Sequence, residues 1–225
     1  MSVKILGVCG SPIKNGNTET MLNVVLESAR ETGDVETELV TMADWKNFKG
    51  GCIHCNYCAY KQKEGKFCAF KDDMTPMYPK LLETDGLILA SPVYISKLSW
   101  LMTAFIDRLR AIAHGKRYTN TLVHKVGAGV AVLWHRNSGA ETTLLSMVHA
   151  MMHLGMLPVT VALYGTYGAT GVSSYYGTGA FDPNDKLGVL KDEFGLRTAR
   201  ALGKNVAQVC KILKLGQEAL KTQQP

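Results

Sequence analysis

The stretch VKILGVCGSPIKNGNTETMLNVVLESARE, residues 3–31, decides the fold of this chain. It opens with an apolar run that indicates a buried strand at residues 3–9, and a polar loop follows. Residues 18–31 then carry apolar side chains at the spacing of one helix face. An alternating run at residues 35–42 predicts a second strand, so the chain begins with a β-α-β unit.

Strand and helix patterns continue to alternate along the rest of the chain. Further strands are predicted at residues 85–91, 126–134 and 157–164, and further helices at residues 75–83, 97–114, 139–154 and 190–213, with fraying from residue 215. Apolar strands that alternate with helices indicate an α/β class, in which helices cover both faces of a parallel sheet. We therefore expect one doubly wound domain over residues 1–225, with five strands in the flavodoxin-like order 2-1-3-4-5.

Two long segments lie outside this pattern. One is a cysteine-rich insertion after the second strand, residues 47–73, and the other follows the fifth strand, residues 165–188. Insertions of this length often carry function, and a mobile surface loop is the alternative. Ligands of doubly wound sheets bind beyond the carboxyl ends of the strands, which directs attention to the loops after Cys9, Ser91 and Trp134.

Composition narrows the possible classes of protein. Of 225 residues, 46% are apolar and 20% charged, as in ordinary globular proteins. The net charge of +6 comes from scattered lysines and arginines interrupted by acids, so no nucleic-acid partner is predicted. No apolar run reaches membrane-spanning length and no secretory signal is recognisable, so we expect a cytoplasmic protein without a membrane partner.

The three strand-end loops carry groups suited to a phosphate and a planar ring. The loop GSPIKNGNTET, residues 10–20, lacks the dinucleotide and Walker spacings, but its amides at a helix start would bind a phosphate; a plain capped helix is equally compatible. In the loop SPVYISKLS, residues 91–99, Pro92 and Tyr94 predict a rigid aromatic turn, suited to a planar cofactor or simply a strand end. The third loop, WHRNSGAE, is polar and contains a glycine.

Four of the six cysteines lie close together in sequence. Cys52, Cys55 and Cys58 are separated by two residues each, and Cys68 follows after nine more. Four thiolates are the usual ligands of an iron-sulfur cluster, whereas zinc sites usually combine two separated C-x-x-C pairs. The spacing therefore favours a [4Fe-4S] cluster, with zinc or reduced thiols as alternatives, and Cys9 and Cys210 are expected to be isolated thiols.

Several motifs occur together in one order: GSPIKNGNT, a cysteine run ending in CAFKDDM, DGLILASPVY, AFIDRL, HRNSGAETTLL and DEFGLRTARALGKNV. Together they resemble the NADPH-dependent FMN reductase-like flavoproteins, and among these the cysteine-bearing branch of iron-sulfur flavoproteins. The resemblance covers nearly the whole chain. The gap before Cys68 is longer than the compact run usual in that branch, and this departure bears on Cys68 more than on the first three cysteines.

The resemblance implies an oxidoreductase that relays electrons between a [4Fe-4S] cluster and FMN, with ferredoxin or NAD(P)H as redox carrier. The implied FMN-binding residues are Ser11, Pro12, Asn15, Gly16, Asn17 and Thr18 around the phosphate, Pro92, Val93, Tyr94 and Ile95 along the ring, and Trp134, His135, Arg136, Asn137, Ser138 and Gly139 to complete the pocket. The implied cluster ligands are Cys52, Cys55, Cys58 and Cys68. Two alternatives stay open: an NAD(P)H-dependent FMN or quinone reductase without a cluster, and a zinc-stabilised binding module that is not an enzyme.

Surface features suggest partners. The methionine-rich helix face at Met147, Met151 and Met152, together with residues 165–188, predicts a homodimer or homotetramer, as the resemblance also implies. The cysteine-rich segment carries a positive rim that would steer an acidic carrier such as ferredoxin, formed by Lys61, Lys63, Lys66 and Lys71. Asp107 and Arg108 in AFIDRL are expected to be surface charges on a helix.

Overall fold

The computed structural model describes residues 2–163, 167–180 and 182–222. Its strands are β1 (Val3–Cys9), β2 (Val35–Thr41), β3 (Gly86–Tyr94), β4 (Lys97–Leu98), β5 (Val126–Leu133), β6 (Leu157–Pro158) and β7 (Ala169–Val172). Its α-helices are α1 (Asn17–Arg30), α2 (Tyr57–Tyr60), α3 (Met77–Glu83), α4 (Trp100–Arg108), α5 (Arg110–Ala113), α6 (Ala140–His153) and α7 (Glu193–Thr222). Single turns of 3-10 helix lie at Met42–Asp44, Tyr175–Gly177 and Gly188–Lys191.

The strands form one sheet in the order β2-β1-β3-β5-β6. These five strands are parallel, and β7 adds a further parallel pairing to β5 while β4 folds back on β3 as a hairpin. The order confirms the predicted flavodoxin-like α/β fold, because β3, β5 and β6 correspond to the third, fourth and fifth predicted strands.

Two apolar layers enclose the sheet. One contains residues of α1 and α7, and the other contains residues of α3, α4, α6 and the segment that holds the cysteines. Every residue of β5 is buried, which explains why its sequence reads as a continuous apolar run.

Two of the three methionines of α6, Met147 and Met151, belong to the core. Met147 and Met151 are 0% and 1% exposed because they pack against the glycines of β5, and only Met152, at 61%, is exposed. The prediction that this helix face is uncovered surface was therefore wrong. The helical period was read correctly, but the apolar face points to the sheet.

Several predicted boundaries differ from the structure. The helix expected at residues 97–114 is the short strand β4 followed by α4 and α5, with an interruption at Leu109. The strand expected at residues 157–164 ends at Pro158, which has no N–H to donate, and β7 pairs with the far half of β5 instead; Tyr164 lies outside the described residues.

The last helix is longer than predicted. It was expected to fray from residue 215, but α7 continues to Thr222. Its buried face extends to Cys210, and Lys214 Nζ then donates to Ser2 O and to Asp85 Oδ2, both at 2.9 Å. Within the described residues, no helix is both long and apolar enough to cross a bilayer.

Candidate functional site

A cavity of about 890 Å³ opens at the carboxyl ends of β1, β3 and β5. We call it the strand-end cavity. The predicted residues that line it are Ser11, Gly16, Asn17, Thr18, Pro92, Val93, Tyr94 and Trp134. The predicted residues outside its lining are Pro12, Asn15, Ile95, His135, Arg136, Asn137, Ser138 and Gly139. Its position agrees with the rule that such sheets bind ligands at this edge.

The loop before α1 presents backbone donors to the strand-end cavity. The Ile13 N–H donates to Ser11 Oγ over 3.1 Å, which closes a tight turn behind β1. Asn15 has a φ of 52°, and its N–H donates to the Glu19 carboxylate over 3.1 Å. The loop is therefore shaped by its own polar groups, and the first amides of α1, which lack intrahelical partners, are available to an anion.

The Asn17 side chain is already engaged by protein groups. Its Nδ2 donates to Lys186 O over 3.1 Å, and its Oδ1 accepts from the Val189 N–H over 3.0 Å. The amide therefore ties the start of α1 to a distant loop, and a phosphate would meet the backbone of Asn17 and not its side chain.

The aromatic turn after β3 is fixed from behind. Ser99 Oγ donates to Gly10 O, and the Ser99 N–H donates to Ser91 Oγ over 3.0 Å, so the first two strand-end loops are tied together. Tyr94 lines the strand-end cavity, and partial burial raises the pKa of its phenol. Ile95 lies at the hairpin tip with 91% of its side chain exposed, which places it outside the cavity wall.

Beyond Trp134, the third loop turns away from the strand-end cavity. His135 forms a bridge with Thr178, and the Arg136 N–H donates to Gly177 O over 2.8 Å. The His135 ring occupies the space that a side chain at position 179 would need. Gly139 has a φ of 104° and lies against the Ser96 backbone, so only glycine fits there. His135 and Arg136 therefore contact the segment that contributes Ser174 and Tyr175 to the lining, and the flavin contacts of this loop stay a prediction.

A wall that the sequence did not predict comes from residues 173–180 and 182–191, which we call the closing segment. Its lining residues are Ser173, Ser174, Tyr175, Ala180, Asp182, Pro183, Asp185, Lys186 and Lys191. Lys191 is paired with Asp185 at 2.8 Å, and Ser174 Oγ donates to Trp134 O. The available signal was the unusual length of the segment after the fifth strand, which carries no recognisable motif.

The four clustered cysteines line a second, smaller cavity, which we call the cysteine cavity. Cys52, Cys55, Cys58 and Cys68 are all in its lining, with walls that include Ile53, Tyr57, Phe70, Arg108 and Arg110. The long gap before Cys68 therefore does not remove it from the other three. All the described cysteines are free thiols.

Local backbone geometry turns the cysteines towards one space. His54 and Asn56 have φ values of 54° and 58°, so the chain reverses between successive cysteines. The His54 N–H donates to Cys52 Sγ over 3.4 Å. Cys58 lies on α2 and is buried. Burial raises the pKa of its thiol, and the charge of the nearby Arg110 opposes that shift.

A buried ion pair anchors the segment that carries these cysteines. Arg108 is only 2% exposed, and its two terminal nitrogens contact the Asp72 carboxylate at 2.9 and 3.1 Å. Arg108 Nη1 also donates to Gly50 O over 3.1 Å. The prediction that Arg108 is a surface charge was therefore wrong. Its partner Asp72 comes from the cysteine segment (residues 47–73), and the helix pattern around Arg108 gives no sign of a contact with that segment.

The donor set of the cysteine cavity fits an iron-sulfur cluster. Four thiols, a backbone N–H donating to sulfur, and partly apolar walls surround one space. Among the described residues, no group of three or more Cys, His, Asp or Glu side chains is arranged closely enough to hold a metal ion. The sulfurs instead surround a cavity. Cys9 and Cys210 lie elsewhere in the core, where burial raises the pKa of each thiol to about 12.

A strand-end cavity beside the β1–β3 switch point is the arrangement by which flavodoxin-like proteins bind flavin. Residues 3–168 match the family described as NADPH-dependent FMN reductase, and the chain belongs to that family. Its sequence places it in the iron-sulfur flavoprotein branch, and it is an FMN-binding oxidoreductase.

A curated relative agrees with this placement, and two solved structures share the fold. An iron-sulfur flavoprotein of Methanocaldococcus jannaschii is 37% identical over 94% of this chain and 100% of its own length. The fold is similar to RosB with a bound 8-demethyl-8-formylriboflavin-5'-phosphate, with a TM-score of 0.71, 15% identity, and coverage of 99% of this chain and 88% of that one. A WrbA-like flavodoxin from Agrobacterium tumefaciens gives 0.59 at 18% identity, covering 94% and 99% of the two chains.

Proposed function

We propose that this oxidoreductase relays electrons between a [4Fe-4S] cluster in the cysteine cavity and FMN in the strand-end cavity. The observation that carries the proposal is the convergence of Cys52, Cys55, Cys58 and Cys68 on one cavity. Bound FMN exchanges one or two electrons, whereas a cluster passes electrons singly, so together they connect two-electron with one-electron carriers.

The helix α4 connects the two cavities. Ser99, at its start, bonds to the loops that line the strand-end cavity, and Arg108, at its end, lines the cysteine cavity. Nine helical residues span about 13 Å. This rigid connection supports a relay, because both cavities are positioned from the same short element.

Protein groups have separate tasks in this proposal. Amides at the start of α1 bind the FMN phosphate, and Pro92, Val93, Tyr94 and Trp134 flank the ring. Asn17 holds the closing segment over the strand-end cavity. The cysteine thiolates hold the cluster, while apolar walls such as Phe70 limit the access of water.

Anaerobic purification with metal and cofactor analysis tests the proposal. We expect FMN and about four irons and four sulfides per chain, with a brown colour from cluster absorbance. Protein reconstituted with iron and sulfide that still binds only FMN would contradict the relay and favour the cluster-free reductase. Zinc in place of iron, without flavin, would support the non-enzymatic binding module.

Direct reduction of FMN by NADPH is the second candidate activity, and the family match favours it. This activity needs the strand-end cavity alone. A variant without the cluster, Cys55→Ala, should then keep the rate of flavin reduction by NADPH that wild-type protein shows in stopped-flow absorbance. A rate that falls with the loss of the cluster would argue against a separate reductase activity.

The electron carrier is proposed to be acidic, as ferredoxins are. The exposed lysines beside the cysteine cavity are Lys61, Lys63, Lys66 and Lys71. The nearby Glu64 carboxylate is paired with Arg117 at 2.7 Å. Its negative charge is therefore partly balanced and offsets less of the positive charge of these lysines. Electron transfer from reduced ferredoxin should slow as salt rises and when these lysines are changed to glutamate. Rates independent of both would contradict the proposal.

Homodimer or homotetramer formation also remains a prediction. Because Met147 and Met151 are buried, its main remaining basis is the exposed Tyr175 and Tyr176 of the closing segment, at 64% and 71% exposure. Light scattering at micromolar concentration should give a mass above that of one chain. A monomeric mass would contradict it.

A further inference from the structure

Two arginines at the interruption between α4 and α5 line the cysteine cavity. Arg108 ends α4 and Arg110 begins α5, with Leu109 between them. Their charges are balanced differently. The Arg108 guanidinium is paired with the Asp72 carboxylate, whereas Arg110 has no carboxylate partner among the residues that the structure describes.

Arg110 instead contacts the cysteine run itself. Its Nη1 lies 3.8 Å from Cys58 Sγ, in position to donate to the sulfur, and its Nη2 donates to Asn56 Oδ1 over 2.7 Å. Asn56 is the left-handed residue between Cys55 and Cys58. One side chain therefore contacts both a candidate ligand sulfur and the turn that orients it.

A positive charge at this position has a definite electrostatic effect. Reduction of a cluster adds one electron, supplied by a carrier of the ferredoxin class, and one negative charge, with no bond or proton change. Cluster potentials depend on net charge and on hydrogen bonds to the sulfurs. An uncompensated guanidinium beside a partly buried sulfur stabilises the more negative, reduced state.

We propose that Arg110 sets the reduction potential of the cluster by holding a positive charge that no carboxylate balances 3.8 Å from Cys58 Sγ. The inference rests on the proposed function, because it requires a cluster in the cysteine cavity. Arg108 contributes less to the potential, since Asp72 offsets its charge. Arg110 is thus a positioning and tuning residue, and Arg108 is the anchor of the cysteine segment.

Redox titration followed by electron paramagnetic resonance tests the inference on cluster-loaded protein. For Arg110→Gln we expect about a tenfold lower ratio of reduced to oxidised cluster at a fixed potential, which is a shift of about 59 mV to lower potential. The matched control is Arg117→Gln, which removes the same charge from an arginine that is paired with Glu64 and is not in the cavity lining. Its midpoint potential should stay at the wild-type value.

A second variant tests the same charge without removing the arginine. In Asn56→Asp, a carboxylate replaces the amide that accepts from Arg110 Nη2, so the guanidinium becomes paired. Aspartate tolerates the left-handed backbone of this position. The midpoint potential should again fall, and this variant decides the question if Arg110→Gln does not retain a cluster.

The outcomes separate this inference from the proposed function. Wild-type protein that assembles no cluster overturns both. A wild-type cluster whose potential is unchanged in both Arg110→Gln and Asn56→Asp overturns only the role of Arg110. An equal fall in Arg117→Gln would show that any nearby surface charge has the same effect, and would also overturn it.

Discussion

The strand-end cavity draws its walls from residues as far apart in sequence as Ser11 and Lys191, whereas the cysteine cavity takes its sulfurs from residues 52–68 alone. The first is positioned by parallel strands, whose ladders fix the loops at one sheet edge. The second is carried by a segment in which α2, one turn long, is the only helix described. A distributed site depends on the sheet, and a local site depends on how one segment is attached.

That attachment is concentrated in a few contacts. The Asp72 carboxylate accepts hydrogen bonds from both terminal nitrogens of Arg108 and from the Lys49 N–H, the last over 3.1 Å. Asp72 therefore joins the two ends of the cysteine segment to α4. The walls of the strand-end cavity are instead joined at several separate places, among them Ser99 and Asn17. The two cavities should therefore be separable by mutation, with sharp losses at the cysteine cavity and graded losses at the other.

Removal of one candidate ligand should have the largest effect. Cys55 is exposed, so Cys55→Ala leaves the core intact while it removes one thiolate from the cysteine cavity. We expect complete loss of cluster absorbance and unchanged FMN content, measured by spectroscopy and metal analysis. The control Cys210→Ala, on α7, should retain both cofactors. Loss of FMN together with the cluster would break the proposed separation.

Disruption of the anchor should have the next largest effect. Asp72→Ala leaves the Arg108 guanidinium buried without its partner, which costs about 3–5 kcal/mol in proteins generally. The free energy of unfolding in urea should fall by that amount. Asp73→Ala is the control, because Asp73 accepts a bond from the Asn47 N–H at an exposed position. A similar loss in both variants would indicate that the ion pair has no special role.

The sequence predicted the parallel sheet better than the Arg108–Asp72 ion pair that attaches the cysteine segment. Runs such as residues 3–9 and 126–134 predicted parallel strands, because burial on both faces leaves a continuous apolar signal. The strand order followed, and with it the edge at which Ser11, Pro92 and Trp134 line one cavity. The cysteine spacing likewise indicated that four sulfurs share one space.

Contacts between distant segments were not predictable in this way. The pairing of Arg108 with Asp72 joins residues 36 positions apart, and neither lies in a periodic pattern that reveals a partner. The loop after Trp134 was expected to line the strand-end cavity, but His135 and Arg136 pair with residues 177–178 and lie outside its lining. A carboxylate–arginine contact or an irregular pairing leaves no local signal, because each side chain alone is typical of a surface.

Release of the closing segment should have a moderate effect on FMN. In Asn17→Ala, two hydrogen bonds between α1 and the closing segment are lost, each worth about 1 kcal/mol. The dissociation constant of FMN, measured by fluorescence quenching, should rise about tenfold to thirtyfold, while cluster content stays constant. Asn23→Ala, on the same helix and outside the strand-end cavity lining, is the control. An unchanged constant would mean that the closing segment does not hold FMN.

Acid should weaken the attachment of the cysteine segment, because it protonates the Asp72 carboxylate. This is the smallest of the expected effects. Burial alone would raise the pKa of Asp72, but the Arg108 guanidinium and the Lys49 N–H lower it below the ordinary value of 3.8. Because the folded pKa lies below the unfolded one, the carboxylate stabilises the fold above pH 3.8, and this contribution is lost as pH falls below that value.

Urea unfolding of cofactor-free protein between pH 3 and pH 6 measures this loss. Below pH 4, the unfolding free energy of wild-type protein should fall more steeply than that of Asp72→Asn, by at most about 1.4 kcal/mol per pH unit for one proton. Asp107→Asn, which changes an exposed carboxylate next to Arg108 in sequence, should follow the wild-type curve. Parallel curves for wild type and Asp72→Asn would mean that the anchor does not depend on the charge of Asp72. The cysteine segment would then be held by packing, as the strand-end loops are held by the sheet.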